Sequence, residues 1–189
     1  MFIKTARRVD IPYTAHFIEQ NASGYADLNN LLAGHDNAHC HLGDHEEILP
    51  NLLSELGSKP CYGMVYSDPN GLPPFELLRS ISFLPTMKFI DILIHVGATT
   101  VKRLLFKHEM HLSDYLRPFN KKTWLVQDPE GKWQWSFLLG TNWEGFPKYS
   151  KERFYRIESE DGRRIFKKLD MTNEERARGE ELRLFDESI

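Results

Sequence analysis

Asp68 stands in Ser67-Asp68-Pro69-Asn70-Gly71, a polar turn after the apolar run Cys61–Tyr66. A carboxylate on a turn stiffened by proline can accept a hydrogen bond from an amine and hold it in one orientation. Two more acids occupy matching places: Glu19 follows the run Tyr13–Ile18, and Asp44 follows Ala38–Leu42. If the three runs are parallel strands of one sheet, the acids line one rim, where open α/β sheets bind ligands. There they can accept hydrogen bonds from ribose hydroxyls or an exocyclic amine. The competing structural reading makes Asp44 a helix cap and Glu19 a solvated loop residue.

Other residue types allow other chemistry. His35, His39, His41 and His45 lie close together with Asp36 and Asp44. His39 and His41 share one side of a strand, yet the spacing matches no zinc pattern, and no metal site is assigned from it. A metal-dependent hydrolase using these histidines with Asp44 and Asp68 is the weakest reading. His95, near the end of the run Phe89–Val96, either reaches the cleft as an acid or base or packs in the core. Ser67 lacks the His and Asp companions of a nucleophilic serine. Trp124, Trp133, Trp135 and Trp143 with Tyr149, Phe154 and Tyr155 lie near basic residues, as a base-stacking surface would require. The alternation of Trp133, Trp135 and Phe137 with polar residues instead reads as the core face of a strand.

The elements that must position these residues alternate. After the first strand, Ser23 caps a helix carrying Tyr25, Leu28, Leu31 and Leu32, which Gly34 stops. Asp44 and Glu47 resemble a capping box for Ile48–Leu56, with Pro50 set to kink or restart that helix. Pro73 and Pro74 open the helical pattern Phe75–Leu84. Phe89–Val96 is a buried strand ending at Gly97, and Val101, Leu104 and Leu105 begin a further helix, with another turn at His111–Leu116. Trp133–Leu139 and Phe154–Ile157 read as an antiparallel strand pair, Gly162 as a turn, and Thr172 with Glu175 as the cap of a last helix. The expected fold is α/β: a three-layer, Rossmann-like, mostly parallel sheet with an antiparallel C-terminal strand pair. One domain spans 1–169, and 170–189 is a charged helix or tail.

Composition narrows the classes. The 189 residues carry a net charge of −3, which excludes a globally basic nucleic-acid binder but allows local basic patches at 102–122 and 148–168. Two cysteines cannot build a disulfide framework or a four-thiolate metal site. No apolar run is long enough for a membrane helix and no signal peptide is read, so the expectation is a cytoplasmic protein with no membrane contact.

In this order of motifs the chain resembles class I S-adenosylmethionine-dependent methyltransferases, and most closely the three-Cys-motif partner family. The resemblance rests on Asp68-Pro69-Asn70-Gly71, Ile90-Asp91-Ile92, and Gly97 through Arg103-Leu104-Leu105, and covers about Tyr13–Phe106. It implies a cofactor, S-adenosylmethionine, with Glu19 on its ribose, Asp44 on its adenine and Ser67 beside them. It also implies Asp68, stiffened by Pro69, orienting an acceptor such as a nucleic-acid amine. The sequence departs from the amino-methyltransferase Asp-Pro-Pro-aromatic turn after Pro69, leaving Phe75 as a stacking residue only if the loop folds back. The glycine-rich cofactor turn and the first strand–helix unit have no counterpart. Either the chain lacks that unit, the natural protein begins upstream of Met1, or a partner chain completes the cofactor pocket. The resemblance leaves two functions open: a methyltransferase, or a catalytically degenerate methyltransferase-fold protein serving as a binding or assembly subunit.

Overall fold

A computed structural model describes residues 8, 10–57, 61–69, 71–97, 101, 111–128, 135–144 and 152–170. The chain forms two compact units, Met1–Gly57 and Ser58–Ile189. The helix expected through Leu104 and Leu105, together with Asn70, Trp133, Tyr149 and the last helix from Thr172, lies outside the described residues.

In the first unit, β1 (Ala15–Glu19) pairs in parallel with β2 (Ala38–Leu42), in register from Ala15 against Ala38 to Glu19 against Leu42. Helix α1 (Ala22–Leu32) connects them. Its cap is Asn21 rather than Ser23, because the Asn21 side chain accepts from the backbone N–H groups of Ser23 and Gly24. Asp44 caps α2 (His45–Glu55), as its position after a strand suggests. Pro50 does not divide α2, which runs through it. Among the described residues of this unit only Ala15 and Leu53 are buried apolar side chains.

The second unit holds a five-stranded sheet in the order β3-β4-β6-β5-β7. Strands β3 (Gly63–Ser67) and β4 (Ile90–Gly97) are parallel. Strand β6 (Trp135–Thr141) lies antiparallel between β4 and β5 (Thr123–Gln127), and β7 (Phe154–Arg156) runs antiparallel to β5 at the edge. The fold is thus α/β with open sheets, but this sheet is mixed, one parallel pair against three antiparallel ones, where a mostly parallel sheet was expected. The strand β5 accounts for much of the difference. Thr123, Trp124, Leu125 and Val126 are all buried, so the run carries no period-two alternation to read.

Packing explains the remaining departures. In β4, Ile90, Ile92, Ile94 and Val96 are buried while Asp91, Leu93 and His95 are half-buried. Partners in register share a face, so Phe137, opposite His95, and Leu139, opposite Leu93, belong to the half-open side. The buried positions of β6 are Ser136, Leu138, Gly140 and Thr141. The aromatic phase expected to be core is therefore the outer one, and Trp135 is 44% exposed. Trp124 is the core tryptophan: its indole lies over Gly140, with Phe119 edge-on at 5.3 Å. Phe75 is core too. It opens α3 (Phe75–Ser82), and its ring meets Tyr115 of α4 (Leu112–Leu116) at 5.0 Å, so it is no base-stacking residue.

Helix α5 (Glu160–Asp170) packs on β5 and β7 and buries Ile165, Phe166 and Leu169. Gly162, expected in a turn, lies in its first turn, where a Cβ would strike the carbonyl oxygen of Arg156. Backbone cannot step aside as a flexible side chain can. Gly162→Ala should therefore destabilise the second unit by ~3 kcal/mol or more, at or beyond the upper end of overpacking costs, read as a fall in the denaturant midpoint. An unchanged midpoint would show that the helix can shift freely on β7.

Candidate active site

The parallel register of β3 and β4 sets Tyr66 against Leu93 and Ser67 against Ile94. One step further, Asp68 meets His95: the carboxylate Oδ1 and the ring Nδ1 are 2.7 Å apart. An ionised carboxylate only accepts, so Nδ1 carries the proton and the lone pair of a neutral His95 ring sits on Nε2. Tyr66, two residues before Asp68 and on the same face, donates toward the same carboxylate. Burial, then the hydrogen bond and charge of Asp68, push the Tyr66 phenol up to about 12.

Aromatic rings wall this cluster. The His95 ring lies 5.1 Å from Phe137 and 5.8 Å from Trp135, and Tyr66 lies 6.2 Å from Phe137. The arrangement can hold a planar group, accept a hydrogen bond from it at Asp68, and take up or return a proton at Nε2 of His95. Pro69, half-buried, follows directly on Asp68. Ser67 points to the other face of β3, the side of Ile94, because it alternates with Tyr66 and Asp68.

Glu19 and Asp44 stand together at the C-terminal end of the β1–β2 pair, where the backbone N–H of Gly43 donates to the carbonyl of Glu19 at 3.1 Å. Each carboxylate spends one oxygen locally. Glu19 Oε1 accepts from the N–H of Asn21 at 2.8 Å, and Asp44 Oδ1 accepts from that of Glu46 at 2.8 Å. Among the described residues these two acids belong to one sheet and Asp68 to another. Among the described residues, no three or more His, Cys, Asp or Glu side chains are already gathered to hold a metal ion. No helix among them is long and apolar enough to cross a membrane.

A second polar cluster occupies the opposite end of β4. Lys121 Nζ donates to the carbonyls of Met87 and Ile90, both at 2.6 Å, and sits near Asp91, which hydrogen-bonds Thr141. Burial pushes the Asp91 carboxyl up, against the pull of Thr141 and Lys121. Burial likewise pushes the Lys121 ammonium down to about 8, opposed by the Asp91 charge. Lys121 bridges the 3₁₀ turn Pro85–Lys88 to β4, which makes this cluster structural. Tyr66 and Lys121 are the members of these clusters that the sequence pattern does not single out. The Tyr66–Asp68 spacing of two on one strand was the available signal for the first, and Lys121 had none.

No protein-family model matches the chain, and no curated protein sequence matches it significantly.

Two measurements test these clusters. Between about 8 and 10.5 the unfolded chain holds the Lys121 proton that the folded chain has shed. The unfolded state then binds more protons, so stability rises with pH across that window. Wild type should gain on Lys121→Met between pH 7.5 and 10, in parallel denaturant titrations; a constant difference would place Lys121 in solvent. Asp68→Asn removes the negative neighbour but not the burial, so the Tyr66 phenol should fall only part of the way from about 12 toward 10. Phenolate absorbance, taken as the difference from Tyr66→Phe, reads that shift.

Proposed function

We propose that the chain is a methyltransferase-like protein in which Asp68 orients an acceptor amine, with S-adenosylmethionine as cofactor. The observation that carries this reading is the Asp68 carboxylate held between His95 and Tyr66 at the C-terminal end of a parallel strand pair. Methyl transfer to an amine releases a proton, and the Nε2 lone pair of His95 is an acceptor beside Asp68 that can take it. Tyr66 and His95 fix the direction of the carboxylate. Trp135 and Phe137 offer a flat apolar wall, in keeping with a nucleobase or other planar amine.

Strand order supports the finer, three-layer Rossmann-like reading. A doubly wound sheet runs 3-2-1-4-5-6. Each unit taken by itself, β2-β1 is a parallel pair as 3-2 is, and β3-β4 is a parallel pair as 4-5 is. With β6 inserted antiparallel, β5 returns to the direction of β4. No described strand takes position 1, the strand whose glycine-rich turn would cradle the amino-acid tail of the cofactor. The remaining hydrogen-bond acceptors suit the other end of that molecule. Glu19 and Asp44 each keep a second carboxylate oxygen, for ribose hydroxyls and the adenine amine respectively. The cofactor, when bound, supplies an electrophilic methyl group.

A specific observation favours a second reading, a binding or assembly subunit with a degenerate site. Strand β3 is an edge of its sheet, and Met64 and Tyr66 on it are about half exposed. Exposed edges pair readily with a strand of another chain.

Calorimetry with S-adenosylmethionine separates the two. On the first reading binding is saturable, Glu19→Ala abolishes it, and Asp68→Asn keeps binding while losing methyl transfer to an amine acceptor. An intact fold with no binding at millimolar cofactor leaves the assembly reading.

A further inference from the structure

The parallel pairing of β1 and β2 places three imidazoles on one face. His16 stands opposite His39, and Ile18 opposite His41, so His39 lies directly across from His16 and His41 one same-face step further along β2. The ring centroids lie 5.1 Å apart for His16 and His39 and 5.3 Å for His16 and His41. His16 Nδ1 and His41 Nε2 face each other at 3.0 Å. Two ring nitrogens at that distance must share a proton or share a cation, since two lone pairs would repel. Two nitrogens on a tetrahedral zinc ion, each bonded at ~2.0–2.1 Å, stand ~3.4 Å apart. The gap between His16 and His41 is already close to that span.

We propose that His16, His41 and His39 bind a divalent transition-metal ion of the zinc class and that the ion clamps β1 to β2. His16 and His41 are the preset pair. His39 is not yet gathered with them, and it joins by a change of side-chain rotamer on the same sheet face. Imidazole nitrogen suits zinc, copper and nickel, whereas calcium and magnesium demand oxygen donors. Glu55, at the end of α2, acts on His16 through its negative charge and offsets part of the charge of the ion. Water completes the coordination, as the site lies at the surface.

The need for such a clamp follows from the core. Among its described residues the first unit buries only Ala15 and Leu53, while Leu31 and Leu42 are 76% and 51% exposed. A unit this small with so little buried surface is a usual place for a structural metal. His16 and His39 stand on neighbouring strands, so neither strand alone builds the site, and His-x-His spacing by itself does not reveal it. His35 and His45 stay outside. His45 pairs with Asp44 at 3.5 Å, and the Nδ1 of His35 is buried without a partner.

The test uses tag-free, chelator-treated full-length chain titrated with Zn²⁺ alone by calorimetry and with Co²⁺ alone by visible absorption. The expected result is one ion per chain at micromolar affinity or tighter, with the intense visible bands of four-coordinate cobalt and a higher thermal midpoint in Zn²⁺. His16→Ala and His41→Ala should each weaken binding at least tenfold and cancel the thermal shift, while His35→Ala and His45→Ala leave both unchanged. Circular dichroism of each metal-free variant shows whether its fold persists. Should a variant fail to fold, His39→Ala and His41→Gln carry the same comparison. Absence of saturable binding, or equal affinity in wild type and His16→Ala, overturns the proposal.

Discussion

The parallel register between β3 and β4 is the constraint on which the second unit depends. It is set on the buried face, where Ile90, Ile92, Ile94 and Val96 leave almost no surface to water. Each such side chain contributes roughly 1.5–3 kcal/mol on burial, whereas a half-exposed ion pair such as Asp68–His95 contributes about 0–1 kcal/mol. Packing therefore decides the pairing and the polar pair follows from it. A slip by one residue would turn the isoleucines outward and carry His95 into the core with its Nδ1 unpaired. The juxtaposition of Asp68 and His95 is in this sense held by residues that never touch it.

The same logic separates what could be read in the sequence from what could not. The runs ending at Glu19, Leu42 and Ser67, and the long run through Ile94, are strands because each is apolar, short and bounded by a polar turn. Asp44 caps a helix because an acid between a strand and a helical pattern meets the unpaired N–H groups of the first turn, here that of Glu46. The failures share one cause: each needed knowledge of a partner. Strand β5 is buried on both faces and so lacks alternation. The alternation of Trp133, Trp135 and Phe137 reads as a core face, but period two marks two faces without telling which one is covered. It is Ser136 that is fully buried, its hydroxyl donating to the carbonyl of Gln127 at 2.6 Å. Gly162 is a glycine because of a carbonyl that belongs to β7, not because of its own turn.

The site was legible in the same uneven way. Asp68 stood out by its place after a strand and before a proline. His95 was visible as a histidine near the end of the next strand, but only the register turns two strand ends into one pair. The shared rim of Glu19, Asp44 and Asp68 assumed one continuous sheet. Among the described residues the two parallel pairs belong to separate hydrogen-bonded sheets. Sequence pattern reports which residues end strands; it does not report which strands are neighbours.

Strand β4 carries two polar clusters on its half-open face, Asp91 at one end and His95 at the other, and their chemistry differs in kind. At Asp91, Lys121 gives two short hydrogen bonds to backbone carbonyls and faces a carboxylate, while Thr141 meets that carboxylate from β6. Both partners are shifted toward their neutral forms chiefly by burial, the signature of a cluster closed to solvent on most sides. Its groups are engaged with one another and with the chain, so a ligand would have to break what is already made. At His95 the carboxylate takes Nδ1 and leaves Nε2 on the far side of the ring, with 28% of the side chain exposed between aromatic walls. A group held firmly at one atom and left available at another is what acid–base chemistry requires. That asymmetry, rather than the presence of charge, distinguishes the His95 end of β4, where Asp68 meets it, as the end that keeps an atom open to a ligand.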